Sequence, residues 1–273
     1  MSGNSPCRTI AIHKAVRGTR VICAELAAAK PLSEVVFRSS LSPALAAVAM
    51  PWTFPAIAAE GRVDQAENLE IEEAMFELES QLIFVPESNG EAGEWKFAPT
   101  IEYGINDALA VGLEIEFEQE SGETLQFSEI GLQAKLVLVD PEVAAAGLGV
   151  QSSVIFDRSG RVGFETYFIV EHIRDELNVL GNLIVSGEPG DWSELSTSYV
   201  GRVDHAIGGN FSVGMETGGE LSGDSKGRHW VGPVLHIAAD EASLVPSVEL
   251  SAFAPLSRKT PDFQVRLELD WEF

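Results

Sequence analysis

The sequence predicts an all-β protein, a closed up-and-down antiparallel transmembrane β-barrel of about twelve strands. Three observations predict it. From residue 72 onward the chain repeats segments of about ten residues in which apolar and polar side chains alternate. The polar face of these segments carries ionised groups again and again, and the chain ends on such a segment with Phe273 as its last residue.

Composition narrows the field first. The chain of 273 residues carries 42 Asp+Glu against 18 Lys+Arg, a formal charge of −24. Phosphate contacts need a basic surface, so nucleic-acid binding is excluded, and so is a polybasic membrane-surface anchor. A hydrophobic share of 45% is too high for a disordered acidic chain. The two cysteines, Cys7 and Cys23, lie near the start, which leaves the body of the chain without a disulfide framework or a Cys-ligated zinc site.

The first sixty residues differ in kind. Arg8, Lys14, Arg17, Arg20, Lys30 and Arg38 face only Glu25 and Glu34, and an uncharged run from Ser39 to Ala59 follows. A basic lead, an apolar stretch and the small-x-small Ala56-Ile57-Ala58 fit a cleavable export signal over 1–58, with cleavage after Ala58. The run has the length of a single membrane helix. Pro51, Pro55 and the lack of basic residues beyond it speak against an anchor. Residues 59–71 then form a short periplasmic segment before the barrel at 72–273. Part of 62–73 also fits helical spacing, since ENLEIEEAM carries apolar residues at helical intervals.

The strands follow in order. Phe76, Leu78, Leu82 and Phe84 alternate with Glu77, Glu79 and Gln81. Leu109, Val111, Leu113, Ile115 and Phe117 alternate with Gly112, Glu114 and Glu116. Ile130, Leu132, Ala134, Leu136 and Leu138 alternate with Gly131, Gln133 and Lys135. Val162, Phe164, Thr166, Phe168 and Val170 alternate with Gly163, Glu165, Tyr167 and Glu171. Weaker alternation covers 94–106, 147–157, 176–187, 191–204, 206–217, 228–239 and 244–254. The last strand is the clearest: Phe263, Val265, Leu267, Leu269, Trp271 and Phe273 on one face, Gln264, Arg266, Glu268, Asp270 and Glu272 on the other.

Successive strand side chains point to opposite sides, so each segment has one apolar and one polar face. Ionised groups cannot repeat along a dry core, so the polar face meets water or counter-charge and the apolar face meets lipid. A soluble secreted sandwich or a lipocalin-like binder is the fold-level alternative, because a half-buried sheet also alternates. Asn106-Asp107, Arg174-Asp175 and Asp204-His205 read as tight turns. The connectors at 86–94, 118–123, 218–226 and 255–260 are longer, so short turns are expected at one end and longer loops at the other.

At the chain end, the alternating strand closed by Phe273 resembles the assembly signal of bacterial outer-membrane proteins. That resemblance implies Phe263, Val265, Leu267, Leu269, Trp271 and Phe273 as the signal, the barrel assembly machinery as a partner, and the outer membrane of a Gram-negative bacterium as the location. The phrases APTIEYGINDALAVGLEIEFE (98–118) and HWVGPVLHI (229–237), with the ending VELSAFAPLSRKTPDFQVRLELDWEF, resemble the phenol-degradation MetA-pathway group of presumed outer-membrane transporters. This second resemblance spans about residues 70–273.

No catalytic set is legible. There is no Gly-x-Ser-x-Gly elbow and no His-x-Ser pairing beside His172, His205, His229 or His236. His236 is expected to face the lumen near Glu249 on the next strand, as a pore-lining polar residue, with a functional His–Glu pair as the alternative. Glu70, Glu72, Glu73, Glu77 and Glu79 supply oxygen ligands without the spacing of a cation loop, so a solvated acidic face is expected rather than a metal site. No cofactor is expected.

The expected lumen lining is Glu77, Glu79, Glu114, Glu116, Lys135, Glu165, Glu171, Glu194, Arg202, Glu216, His236, Glu249, Arg266, Glu268, Asp270 and Glu272. Carboxylate rings favour cations, and twelve strands fall between filled eight-stranded barrels and open sixteen-stranded porins. The expectation is a passive, narrow, cation-preferring channel or transporter with outer-membrane lipid around it and small solutes within. A filled structural or surface barrel and a lipid-modifying enzyme are the alternatives.

Overall fold

The computed structural model describes residues 65–86, 93–119, 123–190, 195–223, 226–239, 245–258, 260 and 263–273. The export signal expected over 1–58 lies outside the described residues. The strands are β1 (Phe76–Val85), β2 (Glu94–Asn106), β3 (Leu109–Gln119), β4 (Gln126–Val139), β5 (Gly147–Asp157), β6 (Val162–Arg174), β7 (Leu177–Gly187), β8 (Ser196–Gly208), β9 (Phe211–Ser222), β10 (His229–Ile237), β11 (Ser247–Pro255) and β12 (Gln264–Glu272). Each pairs antiparallel with its neighbours in sequence, and β1 pairs with β12, so the sheet closes as a twelve-stranded barrel. Closure removes the open edges, so each described strand has a paired neighbour on both sides.

The period-two pattern sets which way each strand faces. Leu132 and Leu138 on β4 are 55% and 60% exposed, whereas Glu216 and Arg266 are 0% and 1% exposed. A soluble protein has the opposite arrangement. The outer wall carries an apolar belt that includes Ile101, Leu132, Phe168, Val203, Met215 and Leu250, all exposed. Apolar outside and charged inside is the layout of a transmembrane barrel.

Inner-facing residues run in rows across the strands. One row reads Glu77, Glu102, Gly112, Gln133, Ser153 and Glu165 from β1 to β6. Another joins Ser212, His236, Glu249, Glu268 and Gln81 from β9 round to β1. The β10–β11 ladder has no pair between Val231–Ala254 and Val234–Ser251, where Pro233 lacks an N–H.

Both ends of the barrel wall, Phe76 and Phe273, meet at one end, with Phe273 N–H donating to Phe76 O at 2.8 Å. At this end β2–β3, β6–β7 and β8–β9 are joined by two residues each, at 107–108, 175–176 and 209–210. Asp175 and Gly209 take positive φ there, 54° and 60°, as the favoured two-residue hairpin turns do.

Three expectations change. Asp204 and His205 form no turn: they pair with Asn178 and Leu177 inside β8, and the reversal falls on Gly209-Asn210. Glycine tolerates the positive φ of that turn, and Asp204 stays in the wall to pair with Arg202. Strand bounds near 191–204 and 206–217 shift accordingly to β8 and β9. Short and long connectors also mix, since 140–146 and 238–246 are long at the terminal end and 158–161 is short at the other.

The third change is the largest. Residues 65–71, the described part of the expected periplasmic segment, lie inside the barrel against the wall in extended form, not as a helix. Ala66 and Leu69 are buried in a cluster with Tyr167, Ile169, Leu180, Ile184, Val200, Trp230 and Phe253. Those seven side chains form an apolar patch on the inner wall, and the burial of apolar area against it draws the segment in.

Candidate functional site

The lumen divides into two zones and an apolar patch. On the β8–β12 side, charged residues from non-adjacent strands converge. Arg202 on β8 meets Asp204 at 2.6 Å, Glu249 on β11 at 2.6 Å and Glu216 on β9 at 3.8 Å. Arg266 on β12 meets Glu216 at 2.8 Å and Glu249 at 3.0 Å. The Arg266 guanidinium also sits 5.1 Å from the Phe253 ring centroid, in cation–π range. Two guanidiniums and three carboxylates thus brace this side of the interior, the arrangement in which buried charge is tolerable.

On the β1–β6 side lies a cavity of about 60 Å³, room for a few waters. Its acidic lining is Glu67, Glu77, Glu79, Glu102, Glu114 and Glu165, and Lys135 is its one cationic residue. Lys135 Nζ stands 3.5 Å from Glu102 and 3.8 Å from Glu67. Burial raises the Glu67 carboxyl above its ordinary value, although Lys135 pulls it the other way. Nearer the far end, Lys96 ion-pairs with Glu116.

The inner-facing rows place the lining residues in these zones. Glu77, Glu79, Glu114, Lys135 and Glu165 border the cavity. Arg202, Glu216, Glu249 and Arg266 form the network, and His236, Glu268 and Asp270 lie in the adjoining rows of β10 and β12. Glu116 joins Lys96, Glu171 is buried beneath the inserted segment, and Glu272 stands opposite Glu77. Glu194 lies outside the described residues.

Glu70, Glu72 and Glu73 are exposed, so the acidic cluster splits into a solvated part and the wall residues Glu77 and Glu79. Carboxylate oxygens of Glu114, Glu116 and Glu129 lie within 4.8 Å of one another, with the Lys96 ammonium supplying counter-charge at Glu116. His236 stands opposite Glu249 in register, and that carboxylate ion-pairs with Arg202 and Arg266.

Sequence reasoning missed Glu67, Leu69, Glu102, Asn182 and the apolar inner patch. Its signal was present but diluted: Ile169 breaks the polar face between Tyr167 and Glu171, and β7 is apolar on both faces through Leu180 and Ile184.

No family model matches the chain, and no curated protein matches it. Among solved structures, the chain is similar to the KdgM porin at 14% identity, with a TM-score of 0.52 over 72% of this chain and 99% of that one. It is also similar to an outer membrane channel from Pseudomonas putida F1, at 13% identity and a TM-score of 0.50, covering 78% of this chain and 100% of that one. At these identities the likeness is one of fold.

Proposed function

We propose that this chain is a passive outer-membrane channel for small solutes, with a preference for cations, in the envelope of a Gram-negative bacterium. One observation carries the reading: an apolar outer wall encloses a cavity lined by Glu67, Glu77, Glu79, Glu102, Glu114 and Glu165 around the single Lys135. Carboxylates facing a water-filled path lower the barrier for cations and raise it for anions. The fold likeness to a porin and to an outer membrane channel supports it. So does the resemblance of 98–118 and 229–237 to the phenol-degradation MetA-pathway group, which also points to transport.

In this reading lipid covers the apolar belt, the assembly machinery reads the β12 end, and residues 1–58 are the export signal. A second reading, a filled structural barrel, is favoured by the Arg202–Glu249 and Arg266–Glu216 ion pairs together with the apolar inner patch. Ion flux from proteoliposomes separates the two. The channel releases trapped potassium faster than trapped chloride; a filled barrel releases neither.

A further inference from the structure

The described segment 65–72 is not part of the sheet, and side chains hold its backbone. Glu67 N–H donates to Asn182 Oδ1 at 2.7 Å, and Asn182 Nδ2 donates back to Glu67 O at 3.0 Å. Two residues on, Leu69 N–H donates to Glu171 Oε2 at 3.0 Å, while Asn178 Nδ2 steadies the other oxygen of that carboxylate at 2.9 Å. A lone amide that reads both the N–H and the C=O of one residue is how a groove grips an extended peptide without a strand partner.

The side chains are read too. The Glu67 carboxylate lies toward Lys135. Leu69 fills a hollow whose floor is Gly147 and Gly149, where a Cβ on either glycine would collide with the Leu69 methyls. A Cβ at Gly104 would likewise run into the Glu72 carbonyl. Three wall glycines therefore stand where the inserted chain passes, and an acidic side chain and a leucine two positions apart each have a matching receptor.

We propose that the inner wall from β4 to β7 is a peptide-binding groove, and that residues 65–72 of this chain are its detachable ligand, seated as a gate. The groove stands on geometry alone; the gating role rests on the channel reading above. Glu67 and Lys135 line the cavity beside the groove, so solvent can follow the segment as it leaves, and a few hydrogen bonds with one leucine are a reversible hold. The ligand class is an extended peptide with an acidic residue, a leucine two positions later and free backbone groups.

Cysteine accessibility tests the docking without reference to conduction. In the full chain with Cys7 and Cys23 replaced by Ser, Ala66→Cys is the reporter, being buried and small, and Val143→Cys is the freely exposed reference. Folding is checked by heat-modifiable gel migration. A polar maleimide should label position 66 more than about ten-fold more slowly than position 143. Either Asn182→Ala or Leu69→Ala should then speed labelling at 66 about ten-fold, the scale of one lost hydrogen bond or apolar contact. Leu69→Ala leaves the wall untouched, so a folding defect at Asn182 does not block the test.

Labelling at 66 as fast as at 143 in the parent, or no acceleration in either variant, overturns the groove. For the gate, Leu69→Ala should raise the bilayer current, and added synthetic peptide Gln-Ala-Glu-Asn-Leu-Glu-Ile-Glu should lower it again. A current that exists but ignores both overturns the gate. A membrane silent in every variant fails the channel reading, and labelling still decides the groove.

Discussion

Arg266 on β12 donates to Glu216 on β9 at 2.8 Å, with β10 and β11 between them in the sheet, so the bond cuts across the lumen as a chord. Arg202 on β8 makes a second chord to Glu249 on β11. Pairs between sheet neighbours would decorate the wall; these chords brace it and fix one side of the interior.

Removing one partner of such a pair strands the other. Glu216→Gln should destabilise the barrel by about 3–5 kcal/mol, because Arg266 stays buried with less counter-charge. Urea unfolding of the refolded protein in vesicles measures this. A loss well under about 1 kcal/mol would mean that water or another acid already serves Arg266.

The two faces of β4 should respond oppositely to charge. Leu132 faces outward and Gln133 inward. Leu132→Arg should cost about 2–4 kcal/mol if it sits near the bilayer midplane, while Gln133→Arg, beside Glu102 and Glu114 in the cavity, should cost little. Equal costs in the same vesicle assay would remove the basis for an outer lipid face.

Phe273 should matter to assembly more than to the finished barrel. Its backbone closes the seam with Phe76, but its side chain is 63% exposed. Phe273→Ala should therefore lower outer-membrane levels in cells and leave the unfolding midpoint of the refolded protein nearly unchanged. Normal levels in cells would undercut the assembly role given to the terminal strand.

Acid should seat the gate. Burial raises the Glu67 carboxyl, so the seated segment binds a proton more readily than the free one. A raised pKa in the seated state stabilises seating fully at low pH, and that contribution fades as pH rises through the raised value. Current recorded from pH 5 to pH 8 should increase with pH, and the slope should weaken in Glu67→Gln. Current that falls with pH, or a slope indifferent to Glu67, would assign the titration elsewhere.

Much of the wall was legible because a strand's side chains repeat every two residues, and strands such as β12, with no exception to the alternation, declare both faces. The reading weakened where one residue served two demands. Ile169 and Leu180 sit on the polar face because they pack against Ala66 and Leu69, and that contact spans more than a hundred residues of chain. Local periodicity carries no trace of such a partner. The same limit hid residues 65–71, where nothing in the local pattern singled out Glu67, which turns toward Lys135. The β8–β9 turn was misplaced because Asp204-His205 has turn chemistry, while the glycines that make the turn lie four residues later.

Planar-bilayer recording of the refolded barrel under a salt gradient tests the central claim most directly. A polar, carboxylate-lined path through a lipid-facing wall predicts discrete current steps with a reversal potential on the cation side. Lys135→Gln should move that potential further toward the cation limit, since it removes the cavity's one cationic residue. Steps that favour anions, or a membrane that stays silent even after Leu69→Ala, would contradict it.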